Sequence, residues 1–100
     1  MKFKLYQLKN KVDYMFMNYD YALAHGLHLD DYEVVYEDDI VPGRYIEDTL
    51  EKLFFNFNTM KPKDFTGWSM SVSDIVEIGG EFYYTDMIGF KVIDNRGLLQ

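Results

Sequence analysis

The amino-acid sequence predicts an α+β fold, a mainly antiparallel sheet with two helices packed on one face. Three observations support this class. Several short segments alternate apolar and polar residues, which is typical of half-buried strands. A longer segment that ends near residue 57 repeats apolar residues at helical spacing. A Gly-Gly pair separates two runs rich in β-branched and aromatic residues, as in a tight hairpin. The predicted order of elements is ββαβα followed by βββ.

Alternation predicts three strands in the first half of the chain. Residues 2–8 and 12–17 both alternate, and the polar turn between them indicates that the two strands form a hairpin. Residues 32–36 form the third strand. Because side chains alternate along a strand, we expect Tyr32, Val34 and Tyr36 on one face.

Capping residues and apolar spacing predict two helices. Asn18 is placed to accept a backbone hydrogen bond at the start of a short helix over residues 19–25, which Gly26 ends. A longer helix covers residues 46–56, after a Pro-Gly turn at 42–43. Its apolar stripe consists of Ile46, Leu50, Leu53, Phe54 and Phe57.

The stretch 67–93 predicts the last three strands. A two-residue turn at Gly79 and Gly80 joins the first two strands and fixes which residues lie opposite each other. Residues 90–93 form the last strand, and residues 94–100 form a tail that is expected to fray. The expected pairs are Ile78 with Glu81, Val76 with Tyr83 and Asp74 with Thr85.

Length and composition favour one soluble domain over residues 1–100. The chain is 48% hydrophobic and has a net charge of -7, which is typical of a folded domain with a core. It has no Cys, which excludes disulfides, thiolate zinc sites and cysteine nucleophiles. Lysines interrupt the N-terminal segment, and no apolar run approaches the ~20 residues of a membrane span. We expect a cytoplasmic protein.

A cluster of acids is the most unusual charged feature of the sequence. No Lys or Arg lies between Val12 and Gly43, and the acids crowd the segment 30–39. They form either a solvated face or a negative surface for a basic partner, which includes a surface that imitates nucleic-acid phosphates. The acids are Asp30, Asp31, Glu33, Glu37, Asp38 and Asp39.

Metal binding and direct nucleic-acid binding are weakly supported. His25 and His28 are possible metal ligands, but they flank a predicted helix end and have no Cys partner. Roles at the helix end or on the surface are therefore favoured, and no cofactor is expected.

Binding of nucleic-acid phosphates requires a basic patch, and the one small cluster of lysines in this sequence is too weak to provide it. The cluster consists of Lys2, Lys4, Lys9 and Lys11.

The segment 68–74 allows both a functional and a structural interpretation. Ser69, Ser71 and Ser73 alternate beside Asp74, which suggests a nucleophile. No His base and no G-x-S-x-G turn accompanies them, so bonds to backbone groups at a turn are favoured. Trp68 either covers an edge of the core or, if it is exposed, marks an interface.

Several motifs resemble those of the YodL-like family. The resemblance covers about residues 4–93, and its most specific part lies between 67 and 90. Two positions depart from the family pattern, because Trp68 stands where His is expected and Met87 stands where Ser is expected. The motifs are F-x-x-Y-D at 16–20, Y-E-V-V-Y at 32–36, F-N at 57–58, P-x-D-F at 62–65, G-x-S-M-S-V-S-D-I-V and Y-Y-x-D-x-x-G-F.

The resemblance implies a small domain of Firmicutes-type bacteria, their phages and conjugative elements, with no established enzymatic activity. One member is associated with interference with the actin-like cytoskeleton that sets cell shape. We therefore expect a non-enzymatic protein-interaction module that acts on a host protein through the six acids of the segment 30–39 or through an exposed aromatic patch that includes Trp68. The alternative is an acidic inhibitor that imitates nucleic acid and blocks a DNA-handling or defence enzyme.

Overall fold

One five-stranded sheet organises the chain in a computed structural model that describes residues 1–93. The strands stand in the order β2-β1-β3-β4-β5, and every neighbouring pair is antiparallel. The predicted α+β class with an antiparallel sheet is confirmed, and the predicted tail lies outside the described residues. The strands are β1 (Lys2–Leu8), β2 (Tyr32–Asp39), β3 (Ile75–Ile78), β4 (Glu81–Thr85) and β5 (Phe90–Val92).

Both predicted helices are present, as α1 (Tyr19–Ala24) and α2 (Ile46–Thr59), and a 3₁₀ turn at Leu29–Asp31 precedes β2. Asn18 caps α1 as predicted, because its side-chain oxygen accepts a hydrogen bond from the backbone N–H of Tyr21 at 2.8 Å. The left-handed Gly26 ends the helix, with φ 83°.

The two helices lie on opposite faces of the sheet, so the prediction that both pack on one face is wrong. Leu50 of α2 belongs to a core cluster that contains Val76 of β3. Ala22 of α1 belongs to a second cluster that contains Ile75 of the same strand. Adjacent residues of a strand point to opposite faces. The inner strands β3 and β4 bury apolar residues on both faces, which allows a packed layer on each side.

Residues 12–17 form two successive turns instead of the predicted strand. Backbone hydrogen bonds join Met15 N to Val12 O at 3.1 Å and Met17 N to Tyr14 O at 3.0 Å. The hairpin prediction is wrong because β2 and β3 occupy both edges of β1, which leaves no edge for a third partner. Tyr14 is buried. The apolar alternation therefore marks a buried loop.

A β-bulge in β2 changes the face on which its aromatic residues lie. Val34 and Tyr36 lie opposite consecutive residues of β1, so Val35 is an extra residue in the ladder. One extra residue exchanges the two faces beyond it. Tyr32 packs in the cluster on the α1 side and Tyr36 in the cluster on the α2 side. The prediction that these residues share one face is wrong at Tyr36.

The Gly-Gly hairpin is confirmed. Gly79 and Gly80 have φ of 61° and 84°, as a two-residue turn with two left-handed residues requires. The third predicted pair, Asp74 and Thr85, lies just beyond the β3–β4 ladder. The two residues are still joined by a hydrogen bond, which Thr85 N donates to Asp74 O at 2.8 Å. The confirmed strand pairs are Ile78 with Glu81 and Val76 with Tyr83.

Candidate functional site

A buried polar network holds the loop that precedes β3. The Asp74 carboxylate accepts hydrogen bonds from Ser71 N at 3.0 Å and from the side-chain amide of Gln7 at 3.0 Å. The same Gln7 amide donates to Trp68 O at 2.9 Å and accepts from Trp68 N at 3.2 Å. One side chain of β1 therefore fixes both the backbone of Trp68 and the carboxyl group of Asp74.

The environment of Asp74 is strongly desolvated. The residue is 3% exposed. Burial raises the pKa of Asp74 from 3.8 to about 7, because the loss of water outweighs the hydrogen bonds from Ser71 and Gln7 that stabilise the charged form. These bonds agree with the interpretation of the Ser-Asp segment as turn-forming residues.

Gly67 allows the loop to approach β1. A Cβ atom at this position would collide with the side-chain oxygen of Gln7 and would lie 2.7 Å from the Phe65 ring. A side chain at residue 67 would therefore displace the amide that holds the backbone of Trp68.

The same loop fixes Phe16 in an unusual backbone conformation. The Ser73 hydroxyl accepts a hydrogen bond from Phe16 N at 3.1 Å. Ser73 is itself held by Tyr32, whose hydroxyl donates to Ser73 O at 2.6 Å. Phe16 has φ 64°, a region in which a bulky L residue is strained by about 1 kcal/mol or more. Its side chain is nevertheless 52% exposed.

Phe16 and Trp68 line a shallow depression of about 510 Å³, which we call the Trp68 groove. Trp68 is 54% exposed, so it does not act as a buried cover over the core. The exposure favours the interface interpretation of this residue. The residues that line the groove are Lys11, Met15, Phe16, Lys61, Trp68, Ser69 and Ser71.

The predicted acids do not form one continuous strip. β2 is an edge strand. Its pairing with β1 places Glu33 and Asp38 on one face, and Glu37 and Asp39 on the other, where each lies opposite a lysine. Asp31 accepts a hydrogen bond from a buried tyrosine hydroxyl at 2.7 Å, so it holds the fold together. The four acids of β2 are thus divided between the two faces of the sheet, and Asp31 has a structural role.

The two histidines contact backbone groups at helix ends. His25 Nδ1 lies 2.9 Å from Tyr21 O, and the two rings stack with centroids 3.8 Å apart. His28 accepts from Asp30 N at 3.1 Å. Within residues 1–93, no group of three or more His, Cys, Asp or Glu is arranged to hold a metal ion.

A second, smaller depression adjoins the acidic end of β2. It has a volume of about 240 Å³, and Asp38 and Asp39 lie on its rim with Met60. Its base consists of buried core residues, including Phe3 and Phe57. It therefore offers less exposed aromatic surface than the Trp68 groove.

Sequence reasoning missed two residues that shape the Trp68 groove. Gln7 carried a detectable signal, because it is a polar residue at an inward position of a strand after Phe3 and Leu5. A buried amide requires partners. Phe16 carried no such signal, since its alternation with Tyr14 indicated a strand.

The fold and these contacts define a small α+β domain with a helix on each face of the sheet and an exposed aromatic groove beside a buried polar network. The family model for the YodL-like domain matches residues 2–95, and the chain belongs to the YodL-like family. No curated protein and no solved structure is significantly similar to the chain. Neither helix in the described part of the chain has the length and apolar character needed to cross a membrane.

Proposed function

We propose that this YodL-like domain is a non-enzymatic, cytoplasmic protein-interaction module of a bacterium or mobile element, and that it binds a host protein through the Trp68 groove. The observation that carries the proposal is the exposure of Phe16 and Trp68 on one surface, at 52% and 54%. Aromatic anchors supply much of the binding energy at protein interfaces.

The backbones of both aromatics are held in place before any partner arrives. The buried Gln7 side chain exchanges hydrogen bonds with the backbone of Trp68, and the buried Ser73 hydroxyl accepts one from Phe16 N. An anchor that is already positioned loses less conformational entropy on binding. The positive φ of Phe16 is the kind of backbone strain that accumulates at functional surfaces.

The alternative, an acidic imitation of nucleic acid, has less support. It requires carboxylates along one strip, whereas β2 carries Glu33 and Asp38 on one face and Glu37 and Asp39 on the other. Charges on an edge strand also have a role without any partner, since they discourage pairing with a second sheet.

The proposed cytoplasmic location is consistent with the absence of Cys from the chain, because disulfides form in oxidising compartments.

Affinity capture from a bacterial lysate tests the proposal. The immobilised wild type should retain a specific host protein, and Trp68→Ser should lose it. Phe16→Asn should also lose it, yet it should melt no lower than the wild type, because Asn tolerates a left-handed backbone better than Phe. The matched control is Phe55→Ser on α2, which removes an aromatic of similar exposure outside the groove.

Two results would contradict this assignment. The proposal fails if Trp68→Ser and Phe16→Asn retain the same proteins as the wild type in equal amounts. It also fails if Phe55→Ser reduces capture as strongly as the two groove variants do.

A further inference from the structure

We infer that the Trp68 groove binds an acidic peptide segment in which carboxylates flank one aromatic or aliphatic anchor. This inference rests on the proposed function and adds the chemistry of the partner to it. It follows from the contrast between the charge at the groove and the charge of the whole molecule.

The groove is lined by two lysines on an acidic protein. Lys11 and Lys61 both line it, although they lie fifty positions apart in the chain, and among residues 1–93 no carboxylate lines it. Within residues 1–93 the one ion pair joins His28 and Asp30, so neither groove lysine forms an ion pair with an acid of the described chain. The net charge of the protein is -7. The two ammonium groups are therefore available to carboxylates of a partner.

The apolar part of the groove suits one large side chain. Met15, Phe16 and Trp68 supply its apolar surface. Methionine is unbranched and adapts to ligands of different shape, while the two aromatics offer rigid contact area. A depression that is open and about 510 Å³ in volume accommodates an anchor residue with its neighbours on a peptide. Carboxylates on either side of that anchor would reach the lysines.

A nucleic acid and a membrane fit these charges less well. Stacking of bases on Trp68 and Phe16 is chemically reasonable, but tight binding of a polyanion requires many neutralised phosphates. Two groove lysines on a chain of net charge -7 supply few. Anionic membranes likewise attract larger clusters of basic residues. A short segment with a few carboxylates suffers less repulsion from the rest of the protein.

Peptide display tests the inference directly. A random dodecapeptide library is selected on the full chain and counter-selected on Trp68→Ser, so that only groove-dependent peptides survive. We expect the survivors to be enriched in Asp and Glu around one Trp, Phe, Leu or Met. Trp68 is the single tryptophan of the chain, so its fluorescence reports binding of a tryptophan-free survivor.

Charge reversal supplies the second measurement. The double variant Lys11→Glu, Lys61→Glu should weaken binding of a selected acidic peptide by about tenfold or more, and 0.5 M salt should weaken wild-type binding in the same direction. Lys52→Glu on α2 is the matched control, since Lys52 is exposed outside the groove, and it should change the affinity less than twofold.

The possible failures are distinguishable. Groove-dependent peptides that are neutral or basic would overturn this inference and leave the proposed function standing. A complete lack of groove-dependent peptides, together with equal capture by wild type and Trp68→Ser in lysate, would overturn both. A single-stranded thymidine dodecamer, or phosphatidylglycerol vesicles, that shift Trp68 fluorescence at lower concentrations than any selected peptide would also overturn the inference.

Discussion

The raised pKa of Asp74 predicts a distinctive pH dependence of stability. Between pH 3.8 and about 7, the folded chain keeps a proton that the unfolded chain releases. The contribution of protonated Asp74 is therefore complete below pH 3.8 and is lost as the pH rises through about 7. The neutral Asp74→Asn should lack this loss. We expect the unfolding free energy of the wild type to fall relative to Asp74→Asn by up to about 4 kcal/mol between pH 4 and 8.

Denaturant titration followed by Trp68 fluorescence measures this difference. Asp13→Asn is the control, since Asp13 is exposed, and its pH profile should run parallel to that of the wild type. Parallel profiles for Asp74→Asn and the wild type would show that Asp74 is ionised at neutral pH in the folded chain.

The contacts of the polar network differ in how far the sequence predicts them. The turn formed by Ser71 and Asp74 was predictable, because a side chain that bonds backbone three residues away leaves a local signal. The bond between Gln7 and Asp74 joins residues that are sixty-seven positions apart. No local pattern identifies such a partner. The exposure of Trp68 was not predictable either, since both a buried and an exposed tryptophan fit the sequence around it.

Whole elements were predictable where their signals are local. The cap at Asn18, the apolar stripe of α2 and the turn at Gly79 and Gly80 each specify a structure through neighbouring residues. Errors arose where tertiary contacts decide. Residues 12–17 alternate like a strand, but both edges of β1 are occupied. The bulge at Val35 leaves no signature in an alternating sequence, so the faces of β2 beyond it were assigned wrongly.

The tyrosines on either side of the bulge should respond differently to the loss of their hydroxyl groups. Tyr32→Phe should destabilise the fold by about 1–2 kcal/mol, because it removes the 2.6 Å hydrogen bond to Ser73 O inside the core. Tyr36→Phe should change stability by less than about 0.5 kcal/mol, since its hydroxyl makes a long, exposed contact of 3.4 Å with Asp38. Thermal or chemical unfolding of both variants checks the pair. Equal losses would contradict the account, because they would show that the Tyr32 and Tyr36 hydroxyls contribute equally to stability.

At the scale of the whole molecule, the acids of β2 and the aromatics of the Trp68 groove belong to different parts of the chain. Four of the acids lie on the edge strand β2, whereas the exposed aromatics Phe16 and Trp68 lie beside two lysines. The sequence indicated the acidic segment, because the acids are contiguous in the chain. It did not indicate the groove, because Lys11 and Phe16 come from the segment between β1 and α1, whereas Lys61 and Trp68 come from the segment between α2 and β3. Only the fold brings the two segments together.

Site-specific photo-crosslinking in living bacteria tests the central claim most directly. A benzophenone amino acid is placed at residue 69, which lines the groove and leaves Trp68 intact, and separately at residue 55 on α2 and at residue 37 on β2. We predict a discrete crosslinked product between the chain and one host protein from residue 69, and none from residue 55. A product from residue 37 with none from residue 69 would contradict the account, because the partner would then bind the acidic edge strand instead of the Trp68 groove.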